Sequence, residues 1–179
     1  MIEARVFTDS LDHTKTVLRD ERATLKGRYV IDDTIYRNVD ESISLIDEFL
    51  RLRVIPENIW DEKAVILALK QTRLHNVGKD SDILLKLQFD TKDEAEAYYD
   101  QHLKDKFIRA FSFSRIGWQY VMQNGDIVDL EIVEQGLPSI EFKSDTDEGV
   151  QNLLSQFNVN RQDVISGPSV VAVKDKLAL

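Results

Sequence analysis

The chain contains no cysteine, which excludes disulfides, thiolate nucleophiles and cysteine-ligated zinc. Its three histidines, His13, His75 and His102, lie far apart, and none falls in a His-Glu-x-x-His or related spacing that would set two imidazoles on one metal. Positive charge is scarce. Lys and Arg total 23 against 32 Asp and Glu, a net of −9, which argues against a broad nucleic-acid footprint or an anionic membrane surface as partner. No apolar run approaches the roughly 20 residues of a membrane-spanning helix. The opening MIEARVF lacks the charged-then-apolar order of a secretory leader, so a cytoplasmic protein is expected. Gly-x-Gly-x-x-Gly and Walker loops are absent, as is a Gly-x-Ser-x-Gly elbow, which closes the common nucleotide-fold and serine-hydrolase routes.

What is present is an ordinary globular composition: 179 residues, 42% apolar and 31% charged, enough for one domain with a sizeable core. The chain is organised around 126–144, DIVDLEIVEQGLPSIEFKS. Two alternating segments, 127–134 and 139–143, flank a turn built on Gly136 and Pro138. Side chains two apart share a strand face, so Asp129 and Glu131 lie together, as do Glu141 and Lys143, with Ile140 and Phe142 opposite. Carboxylates so placed either bind Mg²⁺ or Mn²⁺, accept protons, or face water as on any one-sided sheet.

Taken in order, 2–7 alternates as a strand, and Ser10 predicts the cap of a helix to about residue 25, ended by Gly27. Residues 28–37 read as a strand with an irregular middle. Residues 40–48 fit a short amphipathic helix slightly better than a loop, and Asp33 within RYVIDDTIYR is assigned to turn chemistry. Strands follow at 49–54, up to a break at Pro56, and at 63–71. A polar loop is expected over 72–81, then a strand at 83–89. Thr91 and Glu94 make a capping box for a helix to about 104. Strands are expected at 107–115 and 118–123, joined to the central hairpin by Asn124-Gly125, the strongest turn signal in the chain. Ser144 and Asp147 suggest a further capping box, and Val150, Leu153, Leu154 and Phe157 mark the inner stripe of the helix beyond it. The tail holds a Gly167-Pro168 turn and an apolar patch at 170–173.

The order is strand, helix, several strands, twice over, with halves of about 1–80 and 81–179 forming one domain. Antiparallel runs with a few covering helices make the class α+β. Charges recur on one strand face: Glu3 and Arg5, Arg51 and Arg53, Lys86, Arg109 and Arg115, Asp129 and Glu131, Glu141 and Lys143. On an open sheet these face solvent. On a sheet closed upon itself they converge on an interior lined with both signs. Lys70 stands out, because a lone ammonium among Val65, Leu67, Ile66 and Ala68 is costly unless paired.

Several short stretches in this order resemble the CYTH domain, the fold of class IV adenylyl cyclases and related triphosphatases. Leu130-Glu131, then Val133-Glu134-Gln135-Gly136-Leu137, then Ile140-Glu141-Phe142-Lys143 and a helix are similar to that family's Leu-Asp strand, Val-Glu-Gly-Leu-Gly turn and Val-Glu-Ile-Glu strand. Leu50-Arg51-Leu52-Arg53 resembles its Leu-Arg-Ile-Arg strand, Ala68-Leu69-Lys70 its Thr-Tyr-Lys, and Arg115-Ile116-Gly117-Trp118 its Arg-x-x-Tyr. The resemblance implies an antiparallel closed barrel or tunnel of about eight strands with covering helices. Its lumen would bind a nucleoside triphosphate or inorganic polyphosphate and Mg²⁺ or Mn²⁺. Arg51, Arg53, Lys70 and Arg115 would hold the phosphates, with Lys86 and Arg109 in reserve. Glu131, Glu141 and Glu3 would hold the metal. No residue is assigned to proton transfer, and a homodimer is allowed for.

The chain also departs from that pattern. Where the family has Glu-x-Glu-x-Lys in its first strand, this sequence has Glu3, Arg5 and Phe7; where it has a second Glu after Glu141, this sequence has Lys143. The 83–89 strand shows Lys86 and Gln88 in place of glutamates. Two functions stay open: a metal-dependent cyclase or phosphohydrolase, and a catalytically degenerate module that binds a ligand or partner in the same barrel.

Overall fold

The computed structural model describes residues 1–60, 63–165 and 167–178. Its strands are β1 (Ile2–Phe7), β2 (Thr24–Asn38), β3 (Glu48–Glu57), β4 (Val65–Leu74), β5 (Lys79–Phe89), β6 (Phe107–Val121), β7 (Ile127–Val133) and β8 (Leu137–Ser144). Its α-helices are α1 (Asp12–Asp20), α2 (Lys92–His102), α3 (Asp147–Gln156) and α4 (Ser169–Leu177). All strand pairs are antiparallel and close into one barrel in the order β1-β5-β4-β3-β2-β6-β7-β8. The longest seam runs between β2 and β6, from Thr24 opposite Val121 to Asn38 opposite Phe107. The narrowest is the closure of β1 on β5, through Glu3 opposite Lys79.

The barrel carries much of its apolar surface on the outside. Ile2, Ala4, Val6, Val128, Leu130, Ile140 and Phe142 pack outward from β1, β7 and β8 against Leu18 of α1 and Val150, Leu153 and Leu154 of α3. Leu50, Leu52, Val65 and Leu67 of β3 and β4 pack against Ala95, Tyr98 and Tyr99 of α2. At one end of the barrel Val170 and Val173 of α4 meet Ile35, Phe49, Phe111, Phe113 and Val133. Each large apolar side chain so covered contributes about 1.5–3 kcal/mol by leaving water. Outer packing of this kind leaves the alternate residues of the same strands to line the lumen, where charge can gather.

Local chemistry explains most of the boundaries. The Thr91–Glu94 capping box is present in both directions, and Gly125 turns the β6–β7 hairpin at φ +90°, where a side chain would be strained. Several expectations need correction. The first helix spans only Asp12–Asp20, with Ser10 Oγ accepting from the Asp12 N–H at 3.1 Å, and ends at Glu21, well short of Gly27, which lies within β2. Of residues 40–48, those up to 47 form turns tied by Asp40 and Ser44 side chains rather than a helix, because these short acceptors capture nearby backbone N–H groups, and Glu48 already opens β3. Strand β3 continues through Pro56. The polar loop over 72–81 shrinks to a tight connection, with Thr72 opposite Ser81 in a continuing ladder. The strands at 107–115 and 118–123 are one long strand, β6, which runs unbroken through Gly117. Thr146, not Ser144, caps α3 by accepting from the Gly149 N–H at 3.0 Å. The apolar patch at 170–173 is the first part of α4.

Candidate anion-binding tunnel

The lumen holds a cavity of about 120 Å³ lined by seven cationic side chains (Arg5, Arg51, Arg53, Lys70, Lys79, Arg115, Lys143) and five anionic ones (Glu3, Asp33, Asp129, Glu131, Glu141). It adjoins a wider cavity of about 470 Å³, sharing Arg51, Arg53, Trp60, Lys70 and Lys143 with it. An acidic protein thus keeps a locally positive interior. How the charges pair divides the lumen into two unlike walls.

On the wall formed by β7, β8 and β1, carboxylates and cations alternate. Arg5 pairs with Glu131 through one guanidinium nitrogen and with Glu141 at 2.9 Å through another, and it donates to Ser139 Oγ at 2.8 Å. Lys143 Nζ lies 3.0 Å from the other oxygen of Glu141 and 2.6 Å from Asp129 Oδ2. Gln119 donates to Asp129 Oδ1 at 3.1 Å, while Tyr29 Oη donates to Glu131 Oε1 at 2.7 Å, 3.0 Å from Arg115 Nε. Tyr29 reaches Glu131 because Gly117 stands between them: β2, β6 and β7 set Tyr29, Gly117 and Glu131 in one row. A Cβ on Gly117 would overlap the tyrosine ring. Burial by itself would raise the Glu131 and Glu141 pKa values, but Arg5, with Arg115 at Glu131 and Lys143 at Glu141, outweighs it and holds both below the usual range. Asp129 is raised, chiefly by burial and with the two glutamates adding to it against Lys143.

On the wall formed by β3, β4 and β5, bordered by Asp33 of β2 and Arg115 of β6, cations outnumber their partners. Asp33 is 1% exposed and serves three arginines: Arg53 bidentately at 2.8 and 2.9 Å, Arg115 at 3.0 Å, and Arg51 more distantly at 3.8 Å. Burial opposes its charge, yet these arginines hold its carboxyl well below the usual range. Arg51 has no comparable partner of its own; burial and the neighbouring Arg53 lower its pKa to about 9. No ion pair joins Lys70 among the described residues, and the adjacent Arg51, followed by burial, lowers its pKa to about 7. Lys79 donates to Ser169 Oγ of α4 at 2.9 Å and lies 3.7 Å from Glu3; burial is the main cause of its lowered pKa.

The predicted residues therefore fall into groups. Arg51, Arg53, Lys70 and Arg115 converge on the inner cavity together with Glu3, Glu131 and Glu141. Lys86 is exposed at the wider cavity. Arg109 lines neither, and donates to Ser112 Oγ on the outer part of β6. Asp33 is corrected from turn chemistry to a buried lumen anion. Its signal lay in the alternation Tyr29, Ile31, Asp33, Ile35, a lone carboxylate on an otherwise apolar face. Lys79 was hidden in the supposed loop. Phe7 shares the inward face of Glu3 and Arg5, as expected, and packs in the apolar cluster beneath α4 at one end of the barrel.

A metal site can be tested against this donor set. A divalent ion of the Mg²⁺ type needs several carboxylate oxygens free to ligate it. Here the oxygens of Glu131, Glu141 and Asp129 are each engaged by Arg5, Arg115, Lys143, Tyr29 or Gln119. Among the described residues no three acidic or histidine side chains cluster so as to hold a metal. The residues present do not fit the ion that the resemblance implies.

No family model matches the chain, and no curated protein matches it in sequence. Solved structures do share its fold. The PH1819 protein of Pyrococcus horikoshii OT3 is 18% identical, with 98% of each chain covered and a TM-score of 0.75. HpAC1 of Hippeastrum, a candidate adenylyl cyclase with a dominant triphosphatase activity, is 16% identical over 98% of this chain and 95% of its own, with a TM-score of 0.67. A candidate adenylate cyclase of Vibrio parahaemolyticus is 13% identical over 99% and 97%, also at 0.67. Identities this low establish the shared tunnel architecture and leave function to the site. No described helix is long and apolar enough to cross a membrane.

Proposed function

We propose that the chain is a divergent CYTH-type tunnel protein that binds the phosphate chain of a nucleoside triphosphate or inorganic polyphosphate. The observation that carries this reading is the surplus of positive charge on the β3–β4–β5 wall. Arg51, with only a distant share of Asp33, and Lys70, joined by no ion pair among the described residues, sit together in one lined cavity. Two adjacent cations held out of water are unfavourable until an anion arrives. A phosphate chain supplies several anionic oxygens at the spacing that guanidinium and ammonium groups can bridge. Arg53, Arg115 and Lys79 extend the same cationic surface.

Between enzyme and binding module, the committed carboxylates favour the module. A metal-dependent cyclase or triphosphatase needs acidic ligands for its ion, and Glu131 and Glu141 are already neutralised within the protein. Calorimetric titration of ATP and of tripolyphosphate into the full chain tests the reading. One site is expected, abolished or weakened in Arg51→Met and Lys70→Met. Absence of binding by either ligand, with and without Mg²⁺ or Mn²⁺, would remove it.

A further inference from the structure

The carboxylate wall has a more specific consequence, which rests on the polyphosphate reading and deepens it. Asp129 and Glu141 stand directly opposite each other on β7 and β8. Like charges so placed repel, and both stay in a buried site only if a cation sits between them. Lys143 Nζ is that cation, 2.6 Å from one carboxylate and 3.0 Å from the other. Arg5 plays the same part between Glu131 and Glu141, directly across from Glu141 on the neighbouring strand. The result is a chain of alternating charge, Glu131–Arg5–Glu141–Lys143–Asp129, with Arg115 completing neutrality at Glu131. Each bridging cation occupies the position between paired carboxylates that a divalent ion would take.

We infer that Arg5 and Lys143 are built-in replacements for divalent ions, so that this tunnel takes a metal-free polyphosphate and Mg²⁺ competes with the protein for the ligand. An incoming ion would have to displace Arg5 from both carboxylates, leaving a buried guanidinium with Ser139 Oγ but no anion beside it, which is strongly unfavourable. It would also enter a cavity in which cations already outnumber anions. A bare polyphosphate meets the opposite situation, its anionic oxygens facing Arg51, Lys70 and Lys79. Its Mg²⁺ complex has already spent part of that charge on the ion.

The test is tripolyphosphate titrated into the full chain in chelator, in excess Mg²⁺ and in excess Mn²⁺, paired with the resonance signal of free Mn²⁺ on adding protein alone. Binding in chelator, apparent affinity lowered by either ion, and an undiminished free-Mn²⁺ signal are expected. Tightening by about tenfold or more on adding metal, or uptake of Mn²⁺ by the unliganded protein, overturns the inference while leaving the polyphosphate reading intact. No binding in any arm overturns both. A converse arm uses Lys143→Glu, which adds a third carboxylate beside Asp129 and Glu141. This variant is expected to take up Mn²⁺ and to melt at a higher temperature with the ion than without. Should it fold in neither condition, Lys143→Met takes its place, with Mn²⁺ raising its melting temperature but not that of the unaltered protein. Failure of both variants to respond to Mn²⁺ counts against the replacement.

Discussion

The two walls of the tunnel use the same residue types to opposite ends. On β7 and β8, Asp129, Glu131 and Glu141 meet guanidinium, ammonium, hydroxyl or amide donors within about 3 Å, Arg5 of β1 among them. That wall is closed upon itself. Across the lumen, Arg51 and Arg53 of β3 share Asp33 of β2 with Arg115 of β6, while among the described residues no ion pair joins Lys70 of β4. That wall is open to an anion. A buried charge therefore does not announce its role by being charged or buried. Its role follows from whether the surrounding groups already neutralise it.

The largest expected effect comes from breaking the closed wall. Glu131→Ala leaves Arg5 and Arg115 buried without their common partner and is expected to destabilise the fold by about 3–5 kcal/mol, measured by urea denaturation. Asp33→Ala should do the same across the boundary between the walls, by stranding Arg53 and Arg115. Acid reports the same dependence. Asp33 has a folded pKa below its ordinary 3.8, so its stabilisation is complete above that value and is lost as pH falls beneath it toward the lowered folded value. An acid melt of the unaltered protein should steepen in that window, and Asp33→Asn should lose that part of the slope.

Next in size is Gly117→Ala, which forces the Tyr29 ring away from Glu131 and is expected to cost about 1–3 kcal/mol, read as a lowered denaturation midpoint. Removing a cation from the open wall sharpens the contrast by reversing its sign. Lys70→Met should leave stability unchanged or raise it by up to about 1 kcal/mol, while weakening tripolyphosphate by about tenfold or more.

Proton linkage gives a finer effect. Lys70 has a pKa of about 7 in the folded chain against 10.5 ordinarily. The unfolded chain thus binds more protons between those values, and stability should rise with pH across that window. A phosphate chain restores the charge, so binding at pH 8 should take up about one proton, measured by calorimetry in buffers of different ionisation enthalpy. Lys70→Met should show no uptake. Smallest of all, Arg109→Ala should leave affinity unchanged, since Arg109 lines neither cavity.

Much of the barrel was legible because its strands alternate cleanly and its helices carry plain caps or stripes. The α+β class, the Asn124-Gly125 turn, the Thr91–Glu94 box and the inner stripe of α3 all rest on local patterns that tertiary packing left in place, whereas closure of the sheet was implied only by the family-like order of the strands. The convergence of Arg51, Arg53, Lys70 and Arg115 followed from the family-like order of their strands. Lys79 was obscured by a register shift: Leu69 faces Leu85 but Lys70 faces Ile83, so Leu84 goes unpaired. Ile83 then lines the wider cavity with Lys86 instead of sharing the outer face of Leu87, and the alternation read along 83–89 could not be extended back to Lys79. Pairing was beyond reach for a different reason. Lys143 and Arg5 read as charge reversals beside a metal, and only the register of β1, β8 and β7 makes them the partners of Glu141, Glu131 and Asp129.

The contrast between the walls is tested most directly by thermal melts of the unaltered protein and Lys70→Met, each with and without tripolyphosphate in chelator. The account predicts that both fold equally well, that the ligand raises the melting temperature of the unaltered protein, and that Lys70→Met loses most of that rise. A Lys70→Met protein that keeps the full ligand-induced rise, or one that unfolds as readily as Glu131→Ala, would contradict it.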